Sequence, residues 1–313
     1  MRVVSTLASG TEIVCALGCE SQLVAISHEC DYPDAILDRP RITRTIIDDS
    51  KPSGDIDRQV KEATERGESL YVVDVDLLRE LTPDVIITQS HCDVCAVSDR
   101  DVLGVMSQLP ADQQASIVSL DPMSLDGVLA DIRKVGDGIG APDAASRYLS
   151  DLEQRLSAIG DRGRAISDRQ RKRVVCIEWI EPLMVAANWM PELIDRCGGV
   201  VGITEAGTRS GFTAWDDVVA FAPEVIIVMP CGFPLVRSVQ ESSGLGSLPG
   251  WSSLPAVRSQ QVYAVDGNAY FNRSGPRLVD SQELLAALVH PDVYPEFRER
   301  YAAWYAPLAF DHA

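Results

Sequence analysis

The chain has 313 residues, 46% hydrophobic and 24% charged, which is enough apolar side chain to bury a core and too much for a disordered polymer. Its 28 basic residues face 46 acidic ones, for a net charge of −18. That balance excludes the clustered Lys and Arg surface that nucleic acid or an anionic membrane requires. No run approaches the ~18 apolar residues of a membrane span, and "MRVVSTLASG" is not a basic leader with an apolar core. The expected compartment is therefore the cytosol, or the periplasm if a leader has been removed.

"VVSTLA" opens the chain as a strand, and Ser9, Gly10, Thr11 and Glu12 follow as a capping pattern at a helix start. "LVAIS" is the next strand. "DLLRELTPDVII" (76–87) reads as a short amphipathic helix, a helix-ending proline and a buried strand. "SIVSL" is a fourth strand, and "SLDGVLADIRKVGDGIG" is a helix ending in glycine. From 142 to 172 a longer helix is expected, with Pro142 in its first turn and Ala145, Tyr148, Leu149, Leu152, Leu156 and Ile159 on its apolar face. Then the pattern repeats. "RVVC" answers "RVVS", "VVGIT" answers "LVAIS", "DDVVAFAPEVII" answers "DLLRELTPDVII", and "QVYAVDG" answers "SIVSLDP". The tail "PEFRERYAAWYAPLAF" reads as a last amphipathic helix.

Strands alternating with helices in two matching sets predict an α/β chain of two similar lobes. Each lobe would hold a mainly parallel sheet flanked by helices. The lobes would span 1–141 and 173–313, joined by the 142–172 helix, with a ligand cleft between them.

In open α/β sheets ligands bind beyond the carboxyl ends of the strands, so the residues following each strand are the site candidates. They are His28, Cys30 and Tyr32; Gln89, His91, Cys92 and Cys95; Glu178, Trp179, Asn188 and Trp189; Cys231 and Phe233; and Tyr270, Phe271, Arg273 and Arg277. The eight cysteines divide in two. Cys15, Cys19, Cys176 and Cys197 fall in or at the ends of elements, as small buried hydrophobes do. Cys30, Cys92, Cys95 and Cys231 fall in the loops.

Loop thiols and imidazoles suit zinc or an iron–sulfur cluster, but the single Cys-x-x-Cys has no second copy at zinc-ribbon spacing. A nucleophilic thiol, or loop cysteines without a ligand, fit the same residues. The aromatics suit a large flat ligand, and Arg273 and Arg277 suit a carboxylate or phosphate on it; packing of the same side chains against the sheet is the alternative. No Gly-x-Gly-x-x-Gly, Walker or Gly-x-Ser-x-Gly pattern occurs.

"RVVSTLASGTEIVCALG", "LYVVDVDLLRELTPDVIITQ" and "WSSLPAVRSQQVYAVDG" resemble the periplasmic-binding-protein family that carries cobalamin, haem and iron–siderophores to ABC transporters. "HECDYP", "TQSHCDVCAVS", "EWIEP", "NWMPE", "PCGF" and "GPR" are similar to its cobalamin-binding branch, in a subgroup that often lacks an export signal. The resemblance runs from about Arg2 to Leu288. It implies two α/β lobes joined by one long helix, a small metal-containing ligand such as a corrinoid, binding rather than catalysis, and a transporter as partner. A cytosolic copy would not meet an importer from outside. The expected function is therefore corrinoid or metal-chelate binding. The alternative is a cytosolic metalloprotein or enzyme holding zinc or an iron–sulfur cluster on Cys30, Cys92, Cys95 and Cys231.

Overall fold

The computed structural model describes residues 1–90, 97, 99–106 and 114–310. His91, Cys92 and Cys95, three of the site candidates, lie outside the described residues. The chain divides into two compact units, one holding residues 1–51, 55–122 and 126–152, the other 52–54, 123–125 and 153–313.

The first unit carries β1 (Val3–Ser5), α1 (Ala8–Ala16), β2 (Leu23–Ala25), β3 (Thr43–Thr45), β4 (Tyr71–Val73), α3 (Val75–Leu81), β5 (Val85–Gln89), α4 (Asp99–Met106), β6 (Ser116–Leu120) and α5 (Leu125–Gly138), with α2 (Ser53–Glu65) between β3 and β4. Its sheet runs β2-β1-β5-β6, every pair parallel. Val and Ile runs form these strands because they are buried on both faces; every residue of β1 and β5 is buried. A core of Val4, Ala25, Ile42, Leu78 and Ile86 lies on one side. The antiparallel pair β3–β4 was not legible in the sequence, because three-residue strands with half-exposed side chains leave no period to read.

α6 (Pro142–Arg164) follows, and the boundary between the units falls within it, after Leu152. Its expected end at 172 is corrected to Arg164. At Gly163 an added Cβ would lie 2.0 Å from the Arg196 carbonyl, so the backbone packs where a side chain cannot. The chain then turns, Gln170 N donating to Ser167 O at 2.8 Å.

The second unit holds β7 (Lys172–Trp179), β8 (Met184–Val185), α7 (Met190–Arg196), β9 (Gly199–Val200), β10 (Gly211–Phe212), α8 (Trp215–Phe221), β11 (Val225–Val228), α9 (Leu235–Ser242), α10 (Pro255–Arg258), β12 (Val262–Val265), α11 (Leu278–Val289), α12 (Pro295–Arg300) and β13 (Tyr305–Pro307). Its parallel centre is β9-β7-β11-β12, the same order as β2-β1-β5-β6. The register repeats too: Val3 and Val4 pair with Val85 and Ile86, and Val174 and Val175 pair with Val225 and Ile226. α3 and α8 both end in a left-handed residue, Thr82 (φ 39°) and Ala222 (φ 50°), just before a proline, which bars the helical conformation there.

Three details differ from expectation. "VVGIT" forms only the two-residue β9. Antiparallel β8 and β10 extend the sheet beyond β7. The expected last helix stops at Arg300, and its second half becomes β13, antiparallel to β12. Tyr305 there packs edge-on against Tyr263 at 6.0 Å, and Pro307 is tolerated because β13 is an edge strand. Among the described residues no helix is long and apolar enough to cross a membrane.

Candidate ligand-binding loops

In the first unit the loop after β2 is fastened to β3. His28 N donates to Thr43 Oγ1 at 3.0 Å, and His28 Nδ1 lies 2.7 Å from the same hydroxyl. The ring packs 5.8 Å from Tyr71. Burial lowers its pKa, with Asp49 acting upward and Arg41 downward, so the neutral imidazole is favoured. Arg41 Nη1 donates to the Ser27 and Cys30 carbonyls at 2.9 and 2.6 Å, which fixes the loop's path. Cys30, expected at the ligand, is buried with its Sγ 3.2 Å from Thr11 Oγ1. Tyr32 is exposed, and Gln89 is buried at the end of β5.

In the second unit the loops after β7, β11 and β12 interlock. Cys231 N donates to Glu178 O at 3.1 Å, and Asn268 N donates to Phe233 O at 3.1 Å. Asp266 accepts from Asn268 N (3.1 Å) and Ala269 N (2.7 Å) through Oδ1 and from Leu235 N (3.3 Å) through Oδ2. A Cβ on Gly267 would sit 2.2 Å from the Pro230 carbonyl, so only glycine lets the two loops approach.

Of the five aromatics expected to face a flat ligand, Trp189, Phe233, Tyr270 and Phe271 are buried and shape the loops from beneath. Trp189 Nε1 donates to Phe271 O at 2.9 Å. Phe271 takes a left-handed φ of 70°, held by its N–H donating to Ser281 Oγ at 2.8 Å. Tyr270 packs on Trp304 (5.2 Å) and Tyr301 (6.0 Å), with the Arg277 guanidinium 5.9 Å from its ring. Arg273 donates to Asn268 Oδ1 at 2.8 Å. Trp179 alone of the five stays half-exposed. Its ring rests 5.3 Å from Phe233, and the Arg237 guanidinium lies 3.5 Å from the other partner's ring centre, Phe233. Arg237 was missed in the sequence because it lies on α9 rather than directly after a strand. Its spacing of four residues from Phe233 was the available signal.

Glu178 is linked to Asn188 through the unforeseen Ser210. Ser210 Oγ donates to Glu178 Oε2 at 2.5 Å and accepts from Ala187 N (2.9 Å) and Asn188 Nδ2 (3.5 Å). Burial raises the Glu178 pKa, and the Ser210 hydrogen bond opposes that rise.

Cys231 is exposed, while Cys176 and Cys197 are buried with thiol pKa values pushed up, Cys197 to about 12, first by burial. Among the described residues no group of three or more His, Cys, Asp and Glu is placed to hold a metal ion. A hollow of about 590 Å³ lined by Arg171, Glu192, Asp195 and Val200 lies by β9, which pairs with the amino-terminal start of β7, so it is not part of these loops.

The two α/β repeats share one strand order, and in sheets of this kind the loops at the carboxyl ends of the strands are where ligands bind. The chain belongs to the periplasmic binding protein family, whose model matches residues 3–269. It is 22% identical over 297 residues to an uncharacterized ABC transporter substrate-binding lipoprotein, YvrC, of Bacillus subtilis (strain 168), covering 94% of this chain and 82% of the relative. It is 23% identical over 233 residues to the vitamin B12-binding protein of Yersinia pestis (strain Pestoides F), covering 72% of this chain and 69% of that protein. Among solved structures, the periplasmic vitamin B12-binding protein BtuF of Vibrio cholerae superposes with a TM-score of 0.65 at 20% identity, over 92% of this chain and 96% of that one. The periplasmic heme-binding protein RhuT from Roseiflexus sp. RS-1 does so with a TM-score of 0.68 at 22% identity, over 93% and 98%. At these identities the superpositions speak to the fold.

Proposed function

We propose that this chain is a binding protein for a corrinoid, a cobalamin-like ring carried as cargo. The observation that carries the reading is the half-exposed Trp179 ring at the last residue of β7, tilted against Phe233, whose other neighbour is the Arg237 guanidinium. A planar aromatic surface held by a neighbouring ring suits the face of a large flat ring at little cost in side-chain entropy. The vitamin B12-binding relatives favour a corrinoid, and the heme-binding neighbours make haem the competing cargo. A cluster or zinc site on the loop cysteines has no supporting observation among the described residues. The compartment decides the partner. In the cytosol the chain would store or hand on its ligand; in the periplasm it would serve an ABC transporter. Subcellular fractionation separates the two.

The direct test is an absorbance titration of the purified protein with cyanocobalamin and, separately, with hemin. Saturable binding of cyanocobalamin with a Kd of about 10 µM or tighter is expected. No saturation up to about 100 µM, or saturation by hemin alone, overturns the corrinoid reading.

A further inference from the structure

In the loop after β2, one side chain has one end fastened and the other end open. His28 N donates to Thr43 Oγ1 at 3.0 Å, and the ring Nδ1 lies 2.7 Å from that same hydroxyl. Thr43 is buried on β3, with Oγ1 3.1 Å from Ser27 Oγ, so the anchor is itself held. Tyr71 packs 5.8 Å from the imidazole and limits its rotation. The Thr43 hydroxyl serves Nδ1 in either tautomer. It accepts from Nδ1–H when Nε2 is a lone pair, and it donates to Nδ1 when Nε2 carries the proton. Nε2 has no hydrogen-bond partner among the described residues. It is also reachable, because His28 is only half-buried and Nε2 is not one of the enclosed polar atoms that lack a partner. Burial disfavours the imidazolium, which leaves a neutral ring. The other soft donor of the loop, Cys30, is buried with its sulfur against Thr11 Oγ1 at 3.2 Å. A neutral imidazole with one nitrogen hydrogen-bonded to the protein and the other open is how histidine is prepared as a metal ligand.

Resting on the corrinoid reading, we propose that His28 Nε2 coordinates the cobalt of the cargo at an axial position, so that the protein selects corrinoids with an exchangeable axial ligand. The step is a ligand exchange. The cobalt–oxygen bond to an axial water breaks, the water leaves with its electron pair, and a cobalt–nitrogen bond forms from the Nε2 lone pair. Cobalt keeps its oxidation state, and the imidazole stays neutral with its proton on Nδ1, donated to Thr43 Oγ1. An imidazole nitrogen is the side-chain donor nearest in kind to the benzimidazole nitrogen that cobalamin places on its own metal. His28 is the ligand. Thr43 is a positioning residue, because it acts by holding Nδ1 and so aiming Nε2.

The experiment uses cobinamide, which lacks the benzimidazole and so brings no axial nitrogen of its own. Wild type in a non-coordinating buffer is titrated with diaquacobinamide and with dicyanocobinamide, whose cyanides hold both axial positions. The diaqua form is expected to bind at least about ten-fold tighter, with its absorption bands moving to those of the adduct with free imidazole. In the reduced cobalt(II) form, electron paramagnetic resonance is expected to show each cobalt line split into a triplet by one nitrogen. Labelling the wild type with heavy-nitrogen histidine should turn that triplet into a doublet, a readout that needs no variant. His28→Ala should abolish the triplet and bring the affinity ratio near unity. Thr43→Val should lower the ratio, and Thr43→Ser, which keeps the hydroxyl, should restore it. Cobinamide binding without a triplet, or a triplet that survives in His28→Ala, overturns the assignment while leaving corrinoid binding intact. Failure to bind diaquacobinamide overturns it too, and failure to bind cyanocobalamin as well sinks the corrinoid reading with it.

Discussion

The amino ends of the two repeats are near copies, and the carboxyl ends are not. At the start of β1, Arg2 N donates to Asp84 Oδ2 (2.7 Å), Asp84 N returns to Arg2 O (2.8 Å), and Arg2 Nε reaches the Leu81 carbonyl (2.7 Å). At the start of β7, Arg173 N donates to Glu224 Oε2 (3.1 Å), Glu224 N returns to Arg173 O (2.8 Å), and Arg173 Nε reaches the Ala222 carbonyl (2.9 Å). An arginine backbone and a carboxylate pair at the same helix-to-strand corner twice, before β5 and before β11. Beyond the other end, β1 passes almost at once into α1, whereas β7 doubles back into β8 and, through β10, builds the segment that carries Asn188 and Ser210. The repeats match at the scaffold end of the sheet and differ in the loops beyond the carboxyl ends of the strands, where such sheets carry their sites.

A second contrast concerns the helix that follows the fourth strand of each repeat. α11 buries Glu283, but Arg155, Arg300 and Tyr301 donate to it at 2.9, 2.8 and 2.7 Å. Burial pushes its pKa up, and these partners more than offset that, leaving it below the ordinary range. α5 buries Asp131, whose Oδ2 has no partner among the described residues, and burial lifts its pKa to about 6 against the partial opposition of Lys134. One buried carboxyl is fully compensated and the other only in part, by Lys134 and the Asp121 backbone.

Four measurements press on these comparisons. If the two cores are equivalent, Ile86→Ala and Ile226→Ala should each cost about 2–5 kcal/mol in chemical denaturation, because both side chains are fully enclosed at the same register position. A cost below about 1 kcal/mol in one and not the other would break the equivalence.

Asp131→Asn should stabilise the protein by up to about 3 kcal/mol near pH 7, the shift from 3.8 to about 6 converted at 1.36 kcal/mol per unit. The sign follows from proton binding. The folded pKa is raised, so between about pH 4 and pH 6 the folded state holds a proton that the unfolded state has released, and stability falls as pH rises through that window. Wild type and variant should therefore converge near pH 4 and separate by pH 7; a pH-independent gap in urea midpoints would contradict this origin.

Trp179→Ala should weaken corrinoid binding by about ten-fold, read by absorbance titration, with little change in melting temperature because the ring is only half-buried. The smallest effects are expected at the twin corners. Arg2→Ala and Arg173→Ala remove exposed side-chain bonds and should each cost about 1 kcal/mol or less, to a similar degree. A large loss at one corner alone would show that the copies are not energetic equals.

Much of the scaffold was readable before any coordinates. Strand after strand of Val and Ile, broken by "LTPD" and "FAPE", announced the parallel units and their repetition, since buried parallel strands need continuous apolar runs and proline ends helices. The candidate site was legible only by position. Glu178, Trp179 and Asn188 were singled out because they lie at or after strand ends, yet the same rule swept in Trp189, Tyr270 and Phe271, which are buried. Ser210 and Arg237 were invisible to it, because their partners are brought to them by β8–β10 pairing and by α9.

By itself, then, the sequence determined the α/β class, the duplicated strand order and the loops that could bear a site, because local apolar patterning dictates which segments become buried strands. Tertiary structure decided which loop residues are packing and which are presented, that the tail returns as β13, and which end of the Asn188 amide is left unpaired. Those outcomes depend on contacts between residues distant in the chain, where a single hydroxyl proton on Ser210 sets the polarity of its neighbours, and no local pattern encodes that.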